Sequence, residues 1–340
     1  WIIVNDTEHS KFIGYDHFTA NTLVHKYRMV RKKDKELVQI ILKETPFYAE
    51  SGGQTGDTGT LDFGKDKIKV IETKKEQNQI IHYCDKKPLK PDNKLIACIN
   101  EKRRSLIKLN HSATHLLQAS LRAVLGQHVA QKGSFLNDKY LRFDFTHFQK
   151  LTNEDLKEVE RKVNEKVLEA ISLDERQDVP MKEAVKMGAT ALFGEKYGDM
   201  VRVIIFDPLF SIELCGGTHV KNTSEITLFK IISESAIAAG VRRIEAVTGP
   251  EAFKVIENQE HLLDELSEML SRPKHIKQTL LQIINENNDL KKKVASFEAY
   301  EALKIKEDIR GSFEDCGPIK IGVKKLKDMN PSVIKDIIFE

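Results

Sequence analysis

ELCGGTHV, residues 213–220, sets a cysteine and a histidine four apart with two glycines between them. Cys215 and His219 could form half of a metal site. They could equally be a thiol nucleophile with its base, or a tight turn that carries both. The choice depends on which other side chains the fold brings to the same point. Residues 201–206 and 210–214 read as strands leading straight into Cys215, and 226–233 and 243–247 read as further strands separated by a loop around Gly240.

Upstream, Leu116, Leu117, Leu121, Val124 and Leu125 recur at helical spacing from Asn110, and Gly126 ends the helix. Leu141-Arg142-Phe143-Asp144-Phe145 alternates as a strand. Thr152-Asn153-Glu154-Asp155 then opens a helix expected to run to about Ile171, with Leu156, Val159, Val163, Val167 and Ile171 on one face. Strands and helices do not alternate strictly. The pattern predicts an α+β fold with an antiparallel sheet over 101–250, not a parallel α/β sheet.

Residues 1–100 are strand-rich, with β-branched runs at 37–42 and 67–71. Between them, 50–59 carries four glycines, which excludes a helix and predicts a loop with positive φ angles. A small antiparallel β-barrel fits this segment. After Gly249-Pro250 the chain turns helical over 251–311, with a stop at Pro273. Ile276, Leu280, Ile283, Asn287, Leu290, Val294 and Phe297 step by four and three, a heptad seam with one polar position. About three heptads is short for a coiled coil, so the seam is expected to pack as a helical hairpin on 255–270, with an intermolecular coiled coil as the alternative. Pro318 to Val323 reads as the first strand of a further, truncated domain over 312–340.

The 340 residues are 40% hydrophobic and 31% charged, enough for a sizeable core in two or three domains. Lys and Arg number 54 against 51 Asp and Glu, so the net charge of +3 excludes a protein coated in positive charge, while local basic patches can still touch phosphate. No run reaches the ~18–20 apolar residues of a membrane span, and no basic region precedes Trp1-Ile2-Ile3-Val4 as in a signal peptide. Cys84, Cys98, Cys215 and Cys316 are scattered and read as reduced cytoplasmic thiols. The chain lacks an initiator Met and stops in an apolar pattern at Ile337-Ile338-Phe339-Glu340, so it is expected to be a piece of a larger protein.

His111-Ser112-Ala113-Thr114-His115 supplies a second clue, because positions i and i+4 share a helix face and can point both imidazoles at one metal. Ser112 stands where a zinc protease of the H-E-x-x-H type carries its glutamate base, which disfavours that chemistry. Together, His111, His115, Cys215 and His219 make a borderline-soft donor set suited to Zn²⁺. Such a zinc could be structural, could bind substrate, or could activate water. A Cys215–His219 dyad is the competing use of the cysteine.

HSATHLL (111–117), VAQKGSF (129–135), LRFDF (141–145), LCGGTHV (214–220) and AAGVRRIEAVTG (238–249) resemble, in this order, the editing domain of the alanyl-tRNA synthetase family. ETPFYAESGGQTGDTG (44–59) resembles the stretch ahead of that domain, and the C-terminal helices with the strand near 320 resemble the start of the family's tRNA-binding and oligomerising domain. Nothing resembles the aminoacylation domain, which the family places before Trp1. Threonyl-tRNA synthetases and free-standing editing proteins share the two metal-ligand pairs; the glycine-rich stretch and helical tail point to the alanyl family.

The resemblance implies hydrolytic editing, the deacylation of tRNA(Ala) wrongly charged with serine or glycine. An alanine pocket separates such neighbours by only ~10–200-fold, so a second, hydrolytic site is needed. It further implies zinc on His111, His115, Cys215 and His219, and Gln131 lining the pocket to position substrate or water. The partners implied are the acceptor end of tRNA(Ala) and, in the full-length protein, a second copy held through the C-terminal helices; the location implied is cytoplasmic, with no membrane. A zinc-stabilised tRNA-binding or oligomerisation module without hydrolytic activity is the alternative. Gly52-Gly53-Gln54 reads first as a tight turn, and secondly as a loop approaching the tRNA end or the pocket. Basic runs at 31–33, Arg103-Arg104, Arg242-Arg243 and 291–293 are candidate tRNA contacts, with Arg242 and Arg243 foremost because they lie in a family motif.

Overall fold

A computed structural model describes residues 1–6, 10–32, 35–190, 198–325 and 334. Lys33 and the apolar end at 337–340 lie outside these. Among the described residues ten strands precede the first helix: β1 (Ile2–Ile3), β2 (Lys11–Phe12), β3 (Thr19–Thr22), β4 (Val24–Lys32), β5 (Lys35–Leu42), β6 (Glu44–Thr45), β7 (Gly59–Asp62), β8 (Lys67–Glu76), β9 (Gln79–Cys84) and β10 (Leu95–Ile99). Eight form one antiparallel sheet in the order β1-β4-β5-β9-β8-β7-β10-β3, and β2 pairs with β6 in parallel.

The small barrel expected here is corrected to a curled open sheet, because among the described residues no ladder joins β3 to β1 or β4. The sheet nonetheless curls. Only Leu23 separates β3 from β4. In a flat sheet six inter-strand steps of ~4.8 Å would part them, far beyond the ~7 Å reach of the connection. The curl is therefore closed by a covalent seam instead of hydrogen bonds. Alternate residues line its core: Val38, Ile40 and Leu42 on β5, Ile68 and Val70 on β8, Leu95, Ala97 and Ile99 on β10. Leu37 and Ile41 on the opposite face of β5 join Ile81 and Tyr83 in a second cluster, which is why that strand reads as an almost unbroken apolar run.

His82 on β9 is buried here, with Nδ1–H donating to Ile40 O (2.9 Å) and Nε2 accepting from Thr45 Oγ1 (2.8 Å). Burial pulls its pKa down to about 4, against the opposing pull of the Ile40 carbonyl. The folded value lies below the unfolded value of about 6.5, so neutral His82 contributes stability above that pH and loses it as pH falls toward 4. A difference of this size corresponds to ~3 kcal/mol. Urea midpoints at pH 7 and pH 4.5 should diverge for the native chain and draw together in His82→Gln; equal divergence in both would remove His82 as the cause.

The second half of this unit begins with α1 (Glu101–Leu125), capped by the Asn100 side chain accepting from Arg103 N and ended at Gly126. The helix starts nine residues before the apolar period becomes visible at Asn110. Then come β11 (Gln131–Leu136), β12 (Leu141–Thr146), α2 (Asn153–Leu168), β13 (Asp174–Pro180), α3 (Met181–Lys186), β14 (Met200–Phe206), β15 (Ser211–Leu214), β16 (Phe229–Ala238) and β17 (Val241–Thr248). Thr152 and Asp155 form the expected capping box of α2, which stops at Leu168, short of Ile171. A 3₁₀ turn takes Thr223–Ile226, so Ile226 precedes its strand. The sheet β11-β12-β17-β16 packs on α1 and α2 through Leu116, Leu121, Phe143, Phe145, Val159, Val163 and Ile244, while β13-β14-β15 is a separate antiparallel sheet. The class is α+β, as expected.

Residues 1–257 form one compact unit and 258–340 another. The helix α4 (Gly249–Met269) begins in the first unit, with Gly249 and Ala252 buried. In the second unit lie its remainder, α5 (Ile276–Gly311) and the hairpin β18 (Glu314–Cys316) and β19 (Ile319–Ile321). The seam on α5 stays exposed at Leu280, Ile283, Leu290, Val294 and Phe297, as do Leu262 and Leu263 on α4. The expected burial of that seam against 255–270 is therefore corrected. Among the described residues no helix is long and apolar enough to cross a membrane, and all four cysteines are free.

Candidate metal centre

Helix α1 carries His111 and His115 one turn apart, and the end of β15 delivers Cys215 and His219 opposite them. The four side chains are buried, and their donor atoms lie within 4.8 Å of one another. Cys215 Sγ is 3.4 Å from His111 Nε2 and 3.3 Å from His219 Nε2. Nitrogen and sulfur sharing a tetrahedral Zn²⁺ stand about 3.5 Å apart. His115 Nε2 is buried without a hydrogen-bond partner. An orphaned imidazole nitrogen beside a thiol and two further imidazoles is what a bound cation would satisfy. The residues present therefore fit a metal.

Each imidazole is held from behind at Nδ1 by a different group. His111 faces Gln54 Oε1 (2.8 Å), His219 faces Ser112 Oγ (3.3 Å), and His115 is paired with the Glu213 carboxylate. All three Nε2 atoms are thereby turned inward, the outer support that metal-binding histidines generally have. Burial would raise the Cys215 thiol, but His111, His219 and His115 outweigh it and hold the group well below its ordinary range, on the thiolate side. Burial, reinforced by His111, keeps His219 neutral. Burial also pulls His115 down, yet Glu213 and Cys215 prevail and lift it to about 10. A cation entering the site would displace that proton.

The loop after Cys215 is fixed by its carbonyls. Arg202 Nη1 donates to Cys215 O (2.8 Å) and Gly217 O (2.7 Å), and Tyr15 OH donates to Gly216 O (2.8 Å). Of the two glycines only Gly217 is sterically required: a Cβ there would lie 2.0 Å from His111 Cε1, whereas one on Gly216 meets nothing. A cavity of ≈320 Å³ lies against Glu213, lined by Gln118, Arg122, Thr190 and Ser211. Another of ≈340 Å³ reaches Gly216 between Tyr15, Tyr48 and Ser51.

Gly52 and Gly53 form a two-residue turn with φ of 57° and 81°, closed by Ser51 and Gln54. The tight-turn reading describes its shape, and its product is Gln54, fully buried against the metal site. Gln131, on β11, has no hydrogen bond to the four donor residues; its amide reaches Ser134 Oγ (3.2 Å), which in turn contacts Gly52 O (3.4 Å). Arg242 donates to Glu234 (2.5 Å), and Arg243 grips Asp144 (2.6 and 2.8 Å) across the strand pair, so both cations are already matched by carboxylates. Arg104 is buried completely against Asp57, and Arg103 spans Asp138 and Gly56 O, so this run serves packing. Lys291, Lys292 and Lys293 are exposed on α5. Sequence reasoning missed Gln54, Ser112, Glu213 and Arg202 as parts of the site.

Two family profiles of the class II aminoacyl-tRNA synthetases match: "tRNA synthetases class II (A)" over residues 2–103, and "Threonyl and Alanyl tRNA synthetase second additional domain" over 197–245. The second covers Cys215 and His219. Over the whole chain the sequence is 46% identical to an alanine–tRNA ligase of Cytophaga hutchinsonii and 45% identical to one of Bacteroides fragilis, covering 39% and 38% of those proteins. An alanine–tRNA ligase of Flavobacterium psychrophilum is 41% identical over 99% of the chain and 39% of its own length. The chain belongs to the alanyl-tRNA synthetase family, and spans about two-fifths of the length of these relatives.

Proposed function

We propose that this chain is the editing segment of an alanyl-tRNA synthetase and hydrolyses the ester of tRNA(Ala) mischarged with serine or glycine. The observation that carries this reading is the buried His₃Cys cluster with every Nε2 turned inward, in a chain of that family. Zn²⁺ suits this donor set, and when bound would supply a Lewis acid for the ester carbonyl or for water. His111, His115, Cys215 and His219 hold it, and Glu213, Ser112 and Gln54 orient the imidazoles. The Gln131 amide positions substrate or water and takes no proton, being neutral. The acceptor end of tRNA(Ala) is the partner, the cytoplasm the location, and the C-terminal helices the elements through which copies of the full-length protein associate.

As a working division, 1–100 supplies the glycine turn and 101–250 the editing site. Residues 251–311 are the helical segment, and 312–340 begin the next domain. A second reading draws on the same geometry: four protein donors, all buried, make a closed site of the kind that is usually structural. On that reading the chain is a zinc-stabilised tRNA-binding module. The assay is release of serine from Ser-tRNA(Ala) beside Ala-tRNA(Ala), with the full-length protein in parallel. The editing reading expects the seryl ester to be cleaved faster than the alanyl ester. Equal stability of both esters with the full-length protein would reject it.

A further inference from the structure

We infer that Gln54, delivered by the glycine turn of the strand-rich half, is a positioning residue of the metal centre that sets the tautomer of His111; the inference rests on the metal reading above. The chain of contacts fixes the proton on His111 Nδ1. Thr218 N–H can only donate, and Gln54 Oε1 lies 2.9 Å from it. The other end of the amide, Nε2, donates to Thr218 Oγ1 at 2.9 Å. The amide is thereby oriented by a backbone donor, with its oxygen toward His111. That oxygen accepts from His111 Nδ1 at 2.8 Å. Nδ1 must carry a hydrogen, so in the neutral ring that a metal requires the lone pair sits on Nε2, the atom facing Cys215 Sγ.

The same amide thus straps a helix-borne donor to the loop bearing Cys215 and His219. No water competes, because Gln54 is fully buried. Its own placement is fixed by the turn: Leu136 N–H donates to Gly53 O (2.8 Å), and Thr55 N–H donates to Leu136 O (3.1 Å). A side chain at position 53 would meet Ser134 Oγ at 2.4 Å and Ser134 O at 2.5 Å. Gly217 makes room from the other side, since a Cβ there would meet both the His111 ring and Gln54 Oε1.

The test is zinc affinity of the whole chain by chelator competition, with Co²⁺ absorption as the report on site geometry. Gln54→Leu keeps the size and removes the acceptor; it should weaken zinc by about 10–100-fold and alter the Co²⁺ spectrum. Gln54→Glu keeps an acceptor for both Thr218 N–H and His111 Nδ1–H, and should restore affinity to within a few-fold of the native chain. Melting of the metal-free proteins separates positioning from folding: the metal-free leucine variant should melt near the native value. Native affinity and spectrum in Gln54→Leu would overturn the role of Gln54 alone. A native chain that takes up neither Zn²⁺ nor Co²⁺ would overturn the metal reading and this inference with it. Should the leucine variant not fold, ¹⁵N chemical shifts of His111 in the native zinc-loaded chain decide: Nδ1–H supports the assignment and Nε2–H overturns it.

Discussion

Asp57→Asn should destabilise the chain by about 3–5 kcal/mol, the range for breaking a buried ion pair from one side. Arg104 and Asp57 are essentially inaccessible to water, and the guanidinium Nε lies 3.0 Å from both carboxylate oxygens. The remaining lone pairs and protons are satisfied: Tyr48 N donates to Asp57 Oδ2 (2.7 Å), and Arg104 donates to Gly14 O (2.6 Å) and Pro46 O (3.0 Å). Removing the negative charge leaves a buried cation without its counter-charge. The double variant Asp57→Asn/Arg104→Met should recover part of the loss, because an apolar pair is often tolerated where an ion pair stood. Recovery would be incomplete, since the carbonyls of Gly14 and Pro46 lose their donors. Denaturant titration of the native chain, Asp57→Asn, Arg104→Met and the double variant measures the coupling. A loss under ~1 kcal/mol in the single variant would mean that water reaches the pair.

Cys215→Ala should abolish stoichiometric zinc binding, with affinity falling by more than ~100-fold, beyond the effect of losing an outer partner. The same variant separates the two functional readings. The core joining α1, α2 and the four-stranded sheet is apolar and extensive, so the chain is expected to stay folded. On the editing reading it still binds tRNA(Ala) while the seryl ester survives. Unfolding of the variant, seen as loss of the cooperative thermal transition, would favour the structural-zinc reading. The double variant His111→Ala/His115→Ala should lose the metal equally; retention of zinc there would show that the two pairs do not share one ion.

The donor set was legible in the sequence because each half has local spacing with a geometric meaning: i and i+4 on a helix, and four apart around a close-packed turn. Gln54, Glu213 and Ser112 were not, although Glu213 opens the same eight residues. Their roles depend on what lies across from them. Gln54 meets a loop 164 positions further on, and Glu213 meets a helix 98 positions back. Arg103-Arg104 was misread for the complementary reason: adjacent cations on a helix look solvated until the partner carboxylate is placed. Strand and helix periods gave most elements, with shifts at ends where capping decides. The curl of the first sheet was anticipated, but not its open seam, which depends on which strands become neighbours. The heptad period on α5 is real; what covers it is not encoded in the period.

The separation between the two ligand pairs also constrains assembly during synthesis. His111 and Cys215 are 104 positions apart. At ordinary elongation rates the second pair emerges about 5–20 s after the first. In that interval the strand-rich segment, complete before α1 begins, can fold and present Gln54 and Asp57 to the helix as it forms. The glycine turn can thus stand beside His111 before Thr218, which orients the Gln54 amide, has been made. Capture of the ion by all four donors then requires translation to have passed residue 219.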